Sequence, residues 1–277
     1  MHLLDRFLPS RRRALAEFLA KQKPVIVMGR GHSGTRVLSW ICTRLGIQLG
    51  TREDLRSGDV SDTRFSGEIT AIAAHSLGVT RLEQVKPSLA DRFRRAVHRH
   101  YRELGQPAGL WGWKFPETYL IGPCVATVFP EARYLHLVRD GRDLAFKRHL
   151  TDNPRRRLGR LVLKTAGALQ RPRHLQAALS WSYQVDQFDA FRPCLPPERI
   201  LDLTFEQICA TPSEATGRIC SFLGVPMTEA CRRYLAEEID PRKISQHREV
   251  DPALVREAEA AIAPTLRRYG YLSLPSD

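Results

Sequence analysis

A glycine-rich, basic loop lies between an apolar run and a helical pattern near the start of the chain. Residues 25–28 read VIVM, residues 29–36 read GRGHSGTR, and the apolar residues of the following VLSWICTRLGI recur at helical spacing. A strand, a glycine-rich loop and a helix in this order commonly hold a phosphate-like anion, because the loop amides and the positive end of the helix converge. The sequence therefore predicts an anion site here.

The loop departs from the pattern of nucleoside-triphosphate P-loops. It keeps the outer spacing G-x-x-x-x-G from Gly29 to Gly34, but Thr35-Arg36 stands where those loops carry Lys-Ser or Lys-Thr. Gly31 and Gly34 allow backbone amides to turn inward, since glycine accepts dihedral angles closed to other residues. The residues predicted to bind the anion are Arg30, Gly31, His32, Ser33, Gly34, Thr35 and Arg36.

Strand and helix patterns alternate along the rest of the chain. Strands are predicted at 24–28, 133–138 and 200–203, and helices at 36–46, 81–104, 175–191, 213–223 and 252–269. Strands separated by helices favour a parallel sheet covered on both faces. We therefore predict an α/β fold, a P-loop-like doubly wound parallel sheet flanked by helices, built by residues 1–277 as a single domain. Within it, residues 147–174 concentrate positive charge without a clear period and are predicted to be a basic lid or excursion.

Charge and cysteine content restrict the partners and the compartment. Lysine and arginine number 43 against 30 aspartates and glutamates, a net charge of +13 that favours an anionic partner such as a nucleotide, nucleic acid, acidic glycan or membrane surface. The six cysteines have neither C-x-x-C nor zinc-site spacing. No apolar run approaches the roughly 20 residues of a membrane helix, and the N-terminus is too charged for a secretory signal. We expect a cytoplasmic protein without integral membrane association.

A second basic motif follows a later strand. Residues 136–149 read HLVRDGRDLAFKRH, so that Arg139 emerges where the predicted strand ends. In open parallel sheets, ligands bind at this carboxyl edge. Asp140 and Asp143 could hold the neighbouring arginines or cap a following helix. Taken alone, the motif favours a salt-bridged turn over a ligand site.

Together, the two motifs resemble those of sulfotransferases that use 3′-phosphoadenosine 5′-phosphosulfate (PAPS). LWGWKFPET at 110–118 looks like the W-x-x-K-x-P element of bacterial and carbohydrate-type members, and residues 200–226 resemble the late pattern that ends in F-L-G-x-P. The resemblance covers about 24–226. It implies metal-independent transfer of a sulfuryl group from PAPS to a hydroxyl or amine of a small-molecule or glycan acceptor, with release of 3′-phosphoadenosine 5′-phosphate (PAP).

The resemblance also implies how the nucleotide is held. The first loop would bind the 5′-phosphosulfate, and Arg139 would bind the 3′-phosphate. Lys147 occupies the position, eight residues after Arg139, where the family usually has serine. Late basic residues close over the 3′-phosphate in the family, and the candidates here are Arg242, Lys243 and Arg248.

Three catalytic roles are implied in the same way. His32 stands where related loops carry lysine or arginine, and we interpret it as the donor to the leaving oxygen, with general base as the competing role. Glu53, 21 positions after His32, is the hypothesised base, and Glu68 is a weaker candidate. Lys114 is expected to clamp a sulfate, an acidic sugar or the developing charge.

Two other functions are weaker alternatives. A P-loop kinase or NTPase would share the architecture, but Thr35-Arg36 and the lack of an obvious magnesium aspartate after an apolar strand count against it. A nucleic-acid-binding protein would use the net charge, but residues 147–174 lack interleaved aromatics. We therefore expect no nucleic-acid partner. A sugar, a glycolipid or another anionic small molecule is favoured as the acceptor over a hydrophobic phenol.

Overall fold

Four parallel strands form one sheet in the order β2-β1-β3-β4. The computed structural model describes residues 4–51, 58 and 63–273. The strands are β1 (Val25–Met28), β2 (Gly112–Lys114), β3 (Arg133–Val138) and β4 (Ile200–Thr204). Ile26 of β1 pairs with Trp113 on one side and with Tyr134 on the other. Each strand is followed by helical structure, which is the connection that parallel neighbours require.

The described residues also form twelve α-helices and seven short 3-10 helices. The α-helices are α1 (Leu4–Ala20), α2 (Thr35–Arg44), α3 (Thr63–Ala73), α4 (Pro87–Glu103), α5 (Gly122–Val128), α6 (Gly141–Ala145), α7 (Arg157–Thr165), α8 (Arg173–Phe191), α9 (Phe205–Ala210), α10 (Pro212–Leu223), α11 (Glu229–Glu238) and α12 (Pro252–Arg268). The 3-10 helices are Leu82–Gln84, Pro116–Ile121, Leu150–Asp152, Arg192–Cys194, Pro197–Arg199, Pro241–Lys243 and Gln246–Glu249. Within the described ranges, none of these helices has the length and apolar character to cross a membrane.

Helices cover both faces of the sheet. Successive strand residues point to opposite faces, so Ile26 and Met28 enter one core with α3, α4, α5, α8 and α12. Val25 and Val27 enter a second core with α2, α10 and α11. Burial on both faces explains why β1 is apolar throughout. The arrangement confirms the predicted doubly wound parallel sheet flanked by helices.

The predicted helix at 81–104 differs from the structure at its start. Residues 82–84 form a 3-10 helix, and α4 begins only at Pro87. Proline fits the first turn of a helix and drives the residue before it toward extended geometry, which is what Lys86 adopts with ψ of 129°. The sequence did not predict strand β2, because three residues are too few to show the alternating pattern of a strand.

The basic segment 147–174 is more regular than its sequence suggested. It contains the 3-10 helix Leu150–Asp152, α7 and the start of α8. On α7, Leu158 and Val162 are buried in the core, whereas Arg160 is exposed. The segment is therefore fastened to the core by one apolar helix face, and its role as a lid stays a prediction.

Candidate functional site

The carboxyl ends of all four strands open into one cleft of about 580 Å³. β1 is followed by the first loop, β2 ends at Lys114, β3 leads into Arg139, and β4 leads into Phe205, and residues from each of these places line the cleft. The strand order reverses direction between β1 and β3, which is the position where doubly wound sheets bind ligands. The fold thus brings both sequence motifs to one site.

The first loop has a backbone that two glycines make possible. Gly34 has φ of 91°, a left-handed value, and a Cβ at this position would lie 2.2 Å from the Phe205 ring. A Cβ on Gly31 would lie 2.1 Å from His149 Nε2. Gly34 precedes α2 and has no side chain to cap it, so the first amides of α2 are available to an anion. The absence of side chains at Gly31 and Gly34 therefore keeps open the space inside the loop, which forms a cradle for an anion.

Arg30 lies inside the protein behind the loop. It is 1% exposed, forms an ion pair with Asp152, and donates from Nη1 to the Gly31 carbonyl at 3.0 Å. Burial lowers its pKa, opposed by the nearby carboxylates of Asp152 and Glu117. Arg30 is not among the residues that line the cleft. Its contacts brace the loop from the inside, although the sequence placed it among the anion ligands.

Ser33 and His32 occupy different environments in the loop. Ser33 is buried, and its hydroxyl has no hydrogen-bond partner among the residues that the structure describes. His32 lines the cleft, and its Nε2 lies 2.7 Å from the Arg148 carbonyl oxygen, which can only accept, so Nε2 carries a proton. Loss of hydration lowers the pKa of His32, and Arg30 and Lys147 lower it further.

Arg139 is held in the cleft wall by a fork of hydrogen bonds. Its Nη2 and Nε donate to Asp143 Oδ2 at 2.7 and 3.1 Å, and Nη2 also donates to the Lys243 carbonyl at 2.7 Å. The guanidinium lies 4.3 Å from the centre of the Phe205 ring. Burial opposes ionisation of Asp143, but hydrogen bonds from His247 and Arg139 outweigh it and lower the pKa of Asp143. The charge and orientation of Arg139 are therefore fixed before any ligand arrives.

Lys114, Glu117 and His149 are a second group of ionisable residues in the cleft lining. Lys114 and Glu117 are 3% and 2% exposed, and Glu117 Oε1 lies 3.7 Å from His149 Nε2. The Thr151 backbone N–H donates to His149 Nδ1 at 3.3 Å, so the ring proton of neutral His149 sits on Nε2 and faces Glu117. Burial, with Arg30, His32 and Lys114 nearby, holds the pKa of His149 well below its usual range.

The remaining predicted residues are only partly brought to the cleft. Thr35, Arg36 and Lys243 line it, whereas Lys147 is half-buried outside the lining and Arg248 is exposed outside it. Two further candidates engage other partners: Glu68 pairs with Arg92, and Arg242 pairs with Asp240. Glu53 lies outside the described residues.

The cleft and its support contain residues that received no role from the sequence, among them Glu117, His149, Asp152 and Phe205. Glu117 follows K-F-P directly, and His149 is the last residue of the stretch 136–149 that contains R-D-G-R-D, so both were within reach of the motifs. Their meeting is a tertiary contact between the loops after β2 and β3, for which the sequence has no local signal.

The cleft carries a strong excess of positive charge. Arg36, Lys114, Arg139 and Lys243 line it, against the single carboxylate of Glu117 among the described lining residues. Clefts lined by one sign of charge concentrate ligands of the opposite sign. The arrangement suits a ligand with two separated anionic groups, one at the first loop and one at Arg139.

Sequence comparisons point to one family. A model described as "Sulfotransferase family" matches residues 24–229. The chain is 25% identical over 223 residues to a protein-tyrosine sulfotransferase of Drosophila melanogaster. That match covers 76% of this chain but only 40% of the relative.

Solved structures resemble the chain over most of its length. Sulfotransferase STF9 from Mycobacterium avium has a TM-score of 0.56 with 16% identity, covering 96% of this chain and 81% of that one. Mouse sulfotransferase SULT7A1, solved in complex with PAP, has a TM-score of 0.51 with 13% identity, covering 95% and 91%. At these identities the likeness concerns the fold, and it agrees with the predicted P-loop-like sheet.

Proposed function

Since the chain belongs to the sulfotransferase family, we propose that it transfers a sulfuryl group from PAPS to a hydroxyl or amine of a small-molecule or glycan acceptor. One observation carries the proposal: the first loop and Arg139 follow adjacent strands and line the same cationic cleft. A nucleotide with phosphate groups at its 5′ and 3′ positions needs two such anion sites. The PAP complex of the mouse relative supports the choice of nucleotide.

In this proposal the 5′-phosphosulfate lies on the loop amides and the N-terminus of α2. The 3′-phosphate lies at Arg139, with Lys243 beside it in the lining. Arg139 Nη1 is 3.4 Å from the His32 carbonyl, so the two anion sites adjoin. The glycine cradle fits an oxyanion, since it leaves hydrogen-bonding capacity at the loop. Ser33 does not line the cleft, but its buried hydroxyl is likewise unpaired among the described residues. Lys147 and Arg248 would reach the nucleotide only after moving into the cleft.

The proposed reaction is an in-line displacement at sulfur. The acceptor oxygen or nitrogen forms a bond to sulfur while the bond from sulfur to the 5′-phosphate oxygen breaks, and that oxygen leaves with PAP. Lys114 lies in register with Val27, next to the loop, and its ammonium group would stabilise the charge on the leaving oxygen. Protonated His32 is the second candidate donor, because a bound phosphosulfate favours the charged imidazole.

Glu117 is the candidate general base within the described residues. His149 cannot accept a proton at Nε2, since the Thr151 amide fixes the other nitrogen as the acceptor. Glu117 has a carboxylate in the cleft lining and lies beside His149. An acceptor that enters there would give its proton to Glu117 as its oxygen attacks. Glu53 remains the alternative base from the sequence.

Calorimetric titration of the full chain tests the nucleotide assignment. PAP should bind equally with and without magnesium, and ATP should bind at least about 100-fold more weakly. Arg139→Ala should weaken PAP binding by about 10- to 100-fold, because it removes a charge-assisted contact to the 3′-phosphate. Arg232→Ala, an exposed arginine on α11, serves as the control. Magnesium-dependent ATP binding without PAP binding would favour a P-loop kinase and overturn the proposal.

The reaction is proposed to take place in the cytoplasm. All six cysteines, Cys42, Cys124, Cys194, Cys209, Cys220 and Cys231, are free thiols. Burial raises the pKa of Cys124 to about 12, which keeps that thiol protonated and unreactive. Free thiols are typical of proteins from reducing compartments and support this location.

A further inference from the structure

A second cleft, of about 900 Å³, adjoins the first. The two clefts share His149 and Leu150, so that a molecule in the second cleft borders the Glu117 end of the first. Four arginines line the second cleft: Arg148, Arg155, Arg156 and Arg173. We propose that this second cleft holds the acceptor and selects small molecules that carry a sulfate, phosphate or carboxylate group; the inference rests on the proposed sulfuryl transfer.

The arginines of the second cleft are poorly neutralised. Arg148, Arg155 and Arg156 make no ion pair within residues 4–51, 58 and 63–273. Arg173 donates to the Asp152 carbonyl at 3.1 Å and lies 3.9 Å from its carboxylate, but that carboxylate already pairs with Arg30. Like charges gathered around one cavity repel one another. A bound anion would relieve that repulsion.

The arginines of the second cleft differ from several other arginines of the protein, which are paired with carboxylates. Arg30, Arg139 and Arg142 each face a carboxylate in a fixed geometry. The second cleft instead presents guanidinium groups to solvent, with Arg155 and Arg156 exposed. A guanidinium fork matches the oxygens of carboxylate, sulfate and phosphate groups in pairs. The shared chemistry of the expected ligands is therefore an anionic oxygen group.

The size and position of the second cleft favour a small molecule. A volume of about 900 Å³ lies within the range of small-molecule sites. An anionic group on Arg155 and Arg156 would leave the rest of the acceptor to extend past His149 toward Glu117. There its hydroxyl would meet the sulfuryl group. Because His32 is hydrogen-bonded to the Arg148 carbonyl, the wall between the clefts is continuous with the nucleotide loop.

Matched pairs of sugars test this assignment. The full chain, saturated with PAP, is titrated calorimetrically with N-acetylglucosamine 6-sulfate, N-acetylglucosamine 6-phosphate and glucuronic acid, each against neutral N-acetylglucosamine or glucose. At least one anionic sugar should bind about tenfold or more tightly than its neutral counterpart, since charge-assisted hydrogen bonds are the strong ones. The three arms distinguish sulfate, phosphate and carboxylate as the recognised group.

Two double variants identify the residues responsible. The double variant Arg155→Ala, Arg156→Ala should weaken binding of the anionic sugar by about tenfold or more and leave binding of the neutral sugar unchanged. Arg160→Ala with Arg171→Ala removes the same charge from exposed positions outside the cleft lining and should change affinity by less than about twofold. PAP affinity of each variant serves as the folding check.

Three results would overturn the inference. The first is equal affinity for the anionic and neutral sugars. The second is an equal loss in the two double variants, which would mean general attraction by the net charge of +13. The third is binding of an acidic peptide in place of all three sugars. Failure of PAP to bind would instead count against the proposed function, so the two failures are distinguishable.

Discussion

At the scale of single residues, the position of Glu117 constrains the chemistry most. A carboxylate that is 2% exposed loses most of its hydration and needs compensation from neighbouring charges. Glu117 lies beside His149, and its charge opposes the lowering of the pKa of buried Arg30. Ionisable groups in such settings cluster at functional sites. A buried carboxylate between the two clefts is where a proton acceptor for the reaction is needed.

We predict that Glu117→Gln lowers kcat of sulfuryl transfer by about 100- to 10,000-fold and leaves PAP affinity within about threefold. The amide has nearly the same shape but cannot take a proton. Transfer is measured with radiolabelled PAPS and an acceptor identified among the anionic sugars.

Glu237→Gln, an exposed position on α11, is the control for the same chemical change. Undiminished turnover in Glu117→Gln would eliminate Glu117 as the base and return attention to Glu53. Simultaneous loss of turnover and PAP affinity would instead indicate a structural role.

Whether a residue of the site could be predicted depends on how far away in the chain its partner lies. Arg139 and the first loop could be predicted, because each lies in a short motif next to an apolar strand. The partnership of Glu117 with His149 could not, because it joins loops that follow different strands. Arg30 differs in its contacts: the sequence assigned it to the ligand, whereas in the structure it pairs with Asp152 behind the loop, so its role at the anion stays a prediction.

At the scale of elements, the first loop and segment 147–174 behave as one unit. The Arg30–Asp152 ion pair, the hydrogen bond from His32 to the Arg148 carbonyl and the contact of Gly31 with His149 join them. Movement of segment 147–174 away from the loop would leave the buried charge of Arg30 unpaired, at a free-energy cost of several kcal/mol. The sequence indicated the segment's charge but not this attachment.

We predict that Gly31→Ala lowers the free energy of unfolding by about 1–3 kcal/mol and weakens PAP binding. The new Cβ would overlap the His149 ring, so the loop or the ring must move. His149→Ala removes that ring, and the double variant should recover most of the loss. A double-mutant cycle by urea unfolding measures the coupling.

Gly67→Ala on α3 is the matched control, since a Cβ there meets nothing within 4 Å. Alanine at that helical position should stabilise the protein by up to about 1 kcal/mol. Additive effects of Gly31→Ala and His149→Ala would contradict the tight contact between the loop and the segment.

At the scale of the whole molecule, strand order decides what the site contains. Strands β1 and β3 are neighbours although β2 lies between them in the chain, and only this order brings the first loop beside Arg139. Alternating strand and helix patterns predict a parallel sheet, but no local pattern specifies the order of its strands. The tertiary packing of both faces decides it, through residues far apart in sequence.

Burial of histidines is a second property of the whole fold. His136 lies fully buried on β3, with Nδ1 at 2.7 Å from Asp202 and Nε2 at 2.7 Å from the Tyr119 hydroxyl. Burial lowers its pKa despite the nearby Asp202 carboxylate, and burial likewise lowers the pKa of His149. Both imidazoles are therefore neutral in the folded protein.

These histidines predict how stability depends on pH. The unfolded chain binds protons at their usual pKa of about 6.5, whereas the folded chain binds them only at lower pH. The stabilisation is therefore complete above that value and is lost as the pH falls through it, by up to about 1.4 kcal/mol per pH unit for each histidine. Glu206 acts in the opposite sense at lower pH, because burial raises its pKa, so the informative window is about pH 6 to 7.5.

Thermal unfolding by calorimetry across this window measures the effect. Tm should fall as the pH decreases, and His149→Asn should reduce the slope, because one proton-binding difference between the folded and unfolded chains is removed. The exposed His75→Asn is the control for loss of an imidazole. A Tm that stays constant or rises toward pH 6 would contradict burial of neutral histidines. An unchanged slope in His149→Asn would assign the effect to the other histidines whose pKa burial lowers, His32, His98 and His136.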